Sequence, residues 1–126
     1  MKVWFVDDDQ EMIQAVTLML GLLDYELRCF EDARSTAKAL LDGELPDVLL
    51  LDVNMPEVSG VDLLEFIRGR PEWKHLPILM LSTEATVEKV DRAFSLGADG
   101  FIIKPVTIDE LEASIGRAIQ KHNSMS

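Results

Sequence analysis

The sequence predicts an α/β fold, a parallel sheet with helices on both faces. Five short apolar runs alternate with five amphipathic stretches, and their connections are short. Three of the runs, the first, third and fourth, are apolar at nearly every position. That is the pattern of strands buried on both faces in the middle of a parallel sheet. No repeat or low-complexity tract interrupts the alternation.

The first run is Val3–Val6. Met12, Ile13, Val16, Leu20 and Leu23 then fall on one face of a helix, with Asp9 standing where an N-cap belongs. The second run, Glu26–Phe30, alternates more and suits a sheet edge; a helix around Ser35 to Leu41 follows it. The third, Val48–Leu51, runs into Asp52 and precedes the stripe Val61, Leu64 and Ile67. The fourth, Ile78–Leu81, precedes Val87, Val90 and Phe94, and Gly97 is placed to end that helix at its C′ position. Phe101–Ile103 is the fifth, followed by Ile108, Leu111, Ile115 and Ile119 on a helix opened by the capping pair Thr107 and Glu110. All of these stripes are expected to be core. Trp73 and His75 are expected in a surface loop before the fourth strand. His122 is expected near the end of the last helix, where a cation is mildly favoured.

A chain of 126 residues fits one domain, here 1–122 with a short tail at 123–126. No apolar run approaches the ~20 residues that cross a bilayer. The opening "MKVWFVDDDQ" turns acidic too early for a secretory signal. Cys29 is the single cysteine, so a reducing, cytoplasmic setting is the default expectation. Twelve Lys and Arg against 23 Asp and Glu leave a net charge of −11 and a pI near 4.4. DNA and anionic membranes repel such a surface, so neither is an expected partner. Two histidines, His75 and His122, are too few and too separated for a metal site.

The residues that follow the strands have more to say. Asp7, Asp8 and Asp9 follow the first, Asp52 and Asn54 the third, Ser82 and Thr83 the fourth, Lys104 and Pro105 the fifth. In a parallel sheet these ends share one edge, the edge where open α/β sheets bind ligands. Two carboxylates ~4–5 Å apart repel by roughly 3–4 kcal/mol at an effective dielectric of 20. A cation offsets that cost, and oxygen-only donors suit Mg²⁺. A metal and an ammonium beside one nucleophilic carboxylate form apparatus for handling a phosphoryl group.

The ordered set Asp7-Asp8, Asp52-Val53-Asn54-Met55-Pro56 with Gly60, Ser82, and Lys104-Pro105 resembles the receiver domain of two-component response regulators. The resemblance spans essentially the whole chain, and in size it is nearest the single-domain chemotaxis regulators. It implies a flavodoxin-like (βα)5 sandwich with strand order 2-1-3-4-5. It further implies that Asp52 accepts a phosphoryl group from a histidine kinase or phosphotransfer protein. Asp8 would then bind Mg²⁺, or Mn²⁺, directly; Asp7 would assist, and Asn54 would offer its backbone carbonyl. Ser82 and Lys104 would hold phosphoryl oxygens. Phe101 matches the family's switch aromatic, without the hydroxyl of the more usual Tyr. Pro105 matches a position preceded by a cis bond. Asn54 and Glu84 match the positions that tune loss of the phosphoryl group, and as a pair they imply a short lifetime. The implied output surface for a protein partner is the fourth helix, fifth strand and fifth helix.

On this reading the protein is a signalling switch and no enzyme beyond its own phosphorylation and dephosphorylation. The rival from a different class is a receiver-fold docking module that acts without phosphorylation. Flavin binding is opposed by three aspartates where a phosphate loop would lie, and the chain carries no G-x-G-x-x-G motif. A haloacid-dehalogenase-type phosphatase would place its nucleophile after the first strand.

Overall fold

The apolar runs become five parallel strands. A computed structural model, which describes residues 1–55 and 57–124, orders the elements as β1 (Lys2–Val6), α1 (Gln10–Leu22), β2 (Glu26–Phe30), α2 (Ala33–Leu41) and β3 (Val48–Asp52). There follow α3 (Gly60–Arg68), a 3₁₀ turn at Pro71–Trp73, β4 (Ile78–Ser82), α4 (Val87–Ser95), β5 (Gly100–Ile103) and α5 (Ile108–Ser124). The sheet order is β2-β1-β3-β4-β5, with every pairing parallel. The three nearly all-apolar strands lie inside, and the alternating β2 lies at an edge.

Side chains on each strand alternate between the two layers, as the pleat requires. Trp4, Val6, Leu49, Leu51, Ile78 and Met80 join the core beneath α2, α3 and α4. Val3, Phe5, Val48, Leu50, Leu79 and Leu81 join the core beneath α1 and α5. The helices start on side-chain caps. Asp9 accepts from the backbone N–H groups of Glu11 and Met12, and Asp32 from that of Ser35. Ser59 and Asp62 form a reciprocal box at α3. The Thr107 hydroxyl accepts from the Glu110 N–H at 3.2 Å, and Gly97 follows α4 with φ of +108°.

Several expectations fail, each because periodicity does not say what covers a face. The stripe on α4 is not core: Val87 is 71% exposed and Phe94 46%, while Ala93 is the buried residue. α4 packs beside the edge strand through that small side chain, and among the described residues no further layer covers its larger ones. Trp73 is not in a surface loop. It is buried in the 3₁₀ turn, its ring centroid 5.9 Å from that of Phe66. His122 lies in the last turn of α5, as expected, but is buried there. The two histidines, distant in sequence, have ring centroids 6.4 Å apart. Asn123 and Ser124 of the expected tail belong to α5; Met125 and Ser126 lie outside the described residues.

Candidate functional site

Backbone hydrogen bonds latch the strand ends that carry the predicted site. The Asp7 N–H donates to the Phe30 carbonyl at 3.0 Å, and that of Val53 to the Leu81 carbonyl at 2.9 Å. The Lys104 N–H donates to the Ser82 carbonyl at 2.8 Å. Asp7 Oδ1 accepts from the Asp9 N–H, which turns the chain from β1 into α1. These bonds extend the sheet by one residue on each strand and aim the next side chains over its edge.

Gly60 closes the site from below. As the first residue of α3 it lies against the end of β3, where a Cβ would overlap the Asp52 carbonyl oxygen. Its N–H donates to the Val53 carbonyl at 3.2 Å. Glycine is required there by close approach, since its φ is not among the positive ones.

At the centre, Lys104 Nζ donates to Asp52 Oδ1 at 2.7 Å and to Asp7 Oδ2 at 2.9 Å. The Asp7 side chain is wholly buried, that of Asp52 is 6% exposed and that of Lys104 12%. Asp8 is exposed, yet one oxygen from each of Asp7, Asp8 and Asp52 lies within 4.8 Å of the others. Two of these three carboxylates share the Lys104 ammonium. Burial pushes the Asp52 carboxyl up; the Lys104 hydrogen bond opposes that, and the Asp7 and Asp8 charges add to it. Burial pulls the Lys104 ammonium down, but its hydrogen bonds to Asp52 and Asp7 outweigh this and hold it above its ordinary value.

Ser82 is fully buried on β4, one residue beyond the partner of Asp52 in the ladder, and its hydroxyl accepts from the Glu84 N–H at 3.0 Å. Thr83 is exposed, so Ser82 is the hydroxyl the fold builds into the edge. Asn54 is exposed two residues past Asp52. Glu84 is exposed and ion-paired with Lys89, whose hydrogen bond holds its carboxyl below the usual value. Phe101 stands apart from the carboxylates. It is half-buried and lines a cleft of about 270 Å³ with Val53, Val61, Lys89 and Arg92. The Lys104–Pro105 bond is cis, as the resemblance implied. Pro56 lies outside the described residues.

Sequence reasoning assigned no part to Arg68 or Asp99, which with His122 form a second charged cluster at the opposite edge. Asp99 follows Ala98 in an ordinary-looking turn, and only folding brings Arg68 and His122 to it.

Known proteins are similar to this chain. The family model for the response regulator receiver domain matches residues 3–116. The chemotaxis protein CheY of Pseudomonas aeruginosa is 32% identical over 98% of this chain and 99% of its own length. Protein RcaC of Microchaete diplosiphon is 33% identical over 95% of this chain, which spans only 18% of that longer protein. The solved structure of Vibrio cholerae CheY4 superposes with a TM-score of 0.83 at 35% identity, covering 93% of this chain and 97% of that one. No helix among the described residues is long and apolar enough to cross a membrane. With its flavodoxin-like order of strands and the acidic edge in place, the chain belongs to the response regulator receiver domain family.

Proposed function

We propose that this receiver domain is a phosphorylation-dependent switch in which Asp52 accepts a phosphoryl group from a histidine kinase or a phosphotransfer protein. The observation that carries the reading is one buried ammonium, Lys104, bridging Asp52 and Asp7 with Asp8 in the same cluster. In the transfer, a bond forms between an Asp52 carboxylate oxygen and phosphorus while the bond from phosphorus to the donor imidazole nitrogen breaks. Lys104 keeps its charge and turns from a carboxylate oxygen to a phosphoryl oxygen. Ser82 supplies a hydroxyl donor from the next strand.

The donor set at this edge is all oxygen, which suits Mg²⁺, and Mn²⁺ as a substitute. Asp8, Asp7 and Asp52, with the Asn54 backbone carbonyl, are the residues that would hold it. When bound, the ion supplies positive charge against the phosphoryl oxygens. The domain promotes its own phosphorylation and slow dephosphorylation, and it turns over no separate substrate.

The output surface is the α4–β5–α5 face. Exposed Val87, Phe94 and Ile103 there support an apolar docking surface for a protein partner. Repacking of Phe101 as Ser82 engages the phosphoryl group couples the two ends. The test is incubation with Mg²⁺ and acetyl phosphate, read by intact-protein mass. Wild type gains one phosphoryl group, and Asp52→Asn, with its fold retained, does not. Failure of wild type to label in the presence of Mg²⁺ would favour docking without phosphorylation.

A further inference from the structure

Opposite the acidic pocket, beneath the amino ends of the strands, lies a cleft of about 450 Å³ whose lining includes Asp47, Glu72, His75, Pro77, Ile119 and His122. His122 is 8% exposed, and its Nε2 lies 2.7 Å from Asp99 Oδ2. Among the described residues, His122 Nδ1 is the only buried side-chain polar atom without a hydrogen-bond partner. Leaving such an atom buried and unpaired is costly, so its position calls for a reason. An imidazole that gives one N–H to a buried carboxylate and keeps its other nitrogen bare is arranged as metal-binding histidines are. The carboxylate sets the tautomer and fixes the ring's orientation.

A second imidazole stands beside it. The His75 ring is edge-on to His122, at 82° and 6.4 Å between centroids. With metal–nitrogen bonds of about 2.0–2.1 Å, a tetrahedral ion holds two imidazole centroids roughly 5 Å apart, about 1 Å closer than these rings stand. His75 is exposed, so its ring can turn toward the cleft. The nearby carboxylates are engaged elsewhere: Asp47 accepts from the Lys2 N–H at 2.6 Å, and Glu72 pairs with Arg70 at 3.0 Å. Water is left to complete the coordination.

We propose that His122 Nδ1 and His75 bind a borderline divalent transition-metal ion, Zn²⁺ first among them, on the face opposite the acidic pocket. Imidazole donors select Zn²⁺, Cu²⁺ or Ni²⁺, whereas the oxygen donors at the other edge select Mg²⁺. The ion would tie the end of α5 to the segment entering β4.

The chain has two histidines, so its imidazole ¹⁵N spectrum reports on these two rings alone. Zn²⁺ is titrated into the labelled protein at neutral pH with excess Mg²⁺ occupying the acidic pocket. Both rings shift together and saturate at one ion per chain. His75→Gln, an exposed substitution that leaves the fold intact, weakens binding about tenfold or more. The proposal is overturned if Zn²⁺ shifts only amides around Asp7, Asp8 and Asp52 while both rings stay put. It is equally overturned if His75→Gln binds Zn²⁺ as tightly as wild type.

Discussion

The two edges of the sheet treat buried carboxylates in opposite ways. At the amino edge the Asp99 side chain, 3% exposed, is saturated with donors. Arg68 and Lys121 each approach it at 3.1 Å, the His122 ring at 2.7 Å, and the Ile78 N–H donates at 2.9 Å. At the carboxyl edge Asp7 and Asp52 share the ammonium of Lys104, with Asp8 in the same cluster. The first cluster ties α3, β4, β5 and α5 together and needs nothing more. The second is short of positive charge by design of its residues, and that deficit is what makes it receptive to a cation. Burial alone therefore does not mark a functional carboxylate; the balance of partners does.

The sharpest way to break the contrast is at the saturated edge. Asp99→Ala leaves Arg68 buried without its counter-ion and strips the Ile78 N–H of its acceptor. Loss of one partner of such a buried pair costs about 3–5 kcal/mol, measured as a lower urea midpoint at unchanged slope. Gly60→Ala is next. The new Cβ overlaps the Asp52 carbonyl, so overpacking costs about 1–3 kcal/mol. Acetyl phosphate labelling should slow as well, because β3 must shift to admit the methyl group.

Asp52→Asn should act in the opposite sense. Burial first, and then the Asp7 charge, hold the Asp52 carboxyl above the value it has in the unfolded chain, so the native state binds that proton more tightly. Stability must then fall as pH rises from the unfolded value through the folded one. Removing the charge abolishes that decline. Without Mg²⁺ the variant should be more stable than wild type by roughly 1 kcal/mol at neutral pH, the repulsion relieved less the Lys104 bond weakened. The gap should close under acid, where both states of wild type are protonated. Lys104 behaves conversely. Its raised folded value makes its contribution full below the unfolded lysine value and lost only as pH climbs through the folded one. Thermal melts across a pH series separate the two. Mg²⁺ at ten times its Kd should add about 1.4 kcal/mol to wild type, and less to Asp52→Asn.

The smallest effect is kinetic. Glu84 is engaged by Lys89 and Asn54 is exposed, so neither bears on stability. Glu84→Leu or Asn54→Met should change the decay of the aspartyl phosphate several-fold while Asp52 still labels. One common decay rate for all three proteins would remove both residues from control of the attacking water.

How much of this was legible in the residues differs between the same two edges. The acidic edge was readable because its parts sit at strand ends. Once Val3–Val6, Val48–Leu51, Ile78–Leu81 and the run ending at Ile103 are strands of one parallel sheet, Asp7, Asp52, Ser82 and Lys104 must meet. The cluster of Arg68, Asp99 and His122 had no such marker. Its members come from a helix, a turn and a second helix, and no local pattern says which surfaces those elements share.

The sequence by itself determined the α/β class, the edge and central strands, the helix caps at Asp9 and Thr107, and the convergence of acids with one lysine. Those follow from alternation, burial and chain direction, which act over a few residues. Only the tertiary structure decided that Val87 and Phe94 face solvent, that Trp73 is buried, and that His75 and His122 adjoin. A helical period places side chains on one face of an element. What that face meets depends on packing between elements far apart in the chain, and among the described residues no layer covers Phe94.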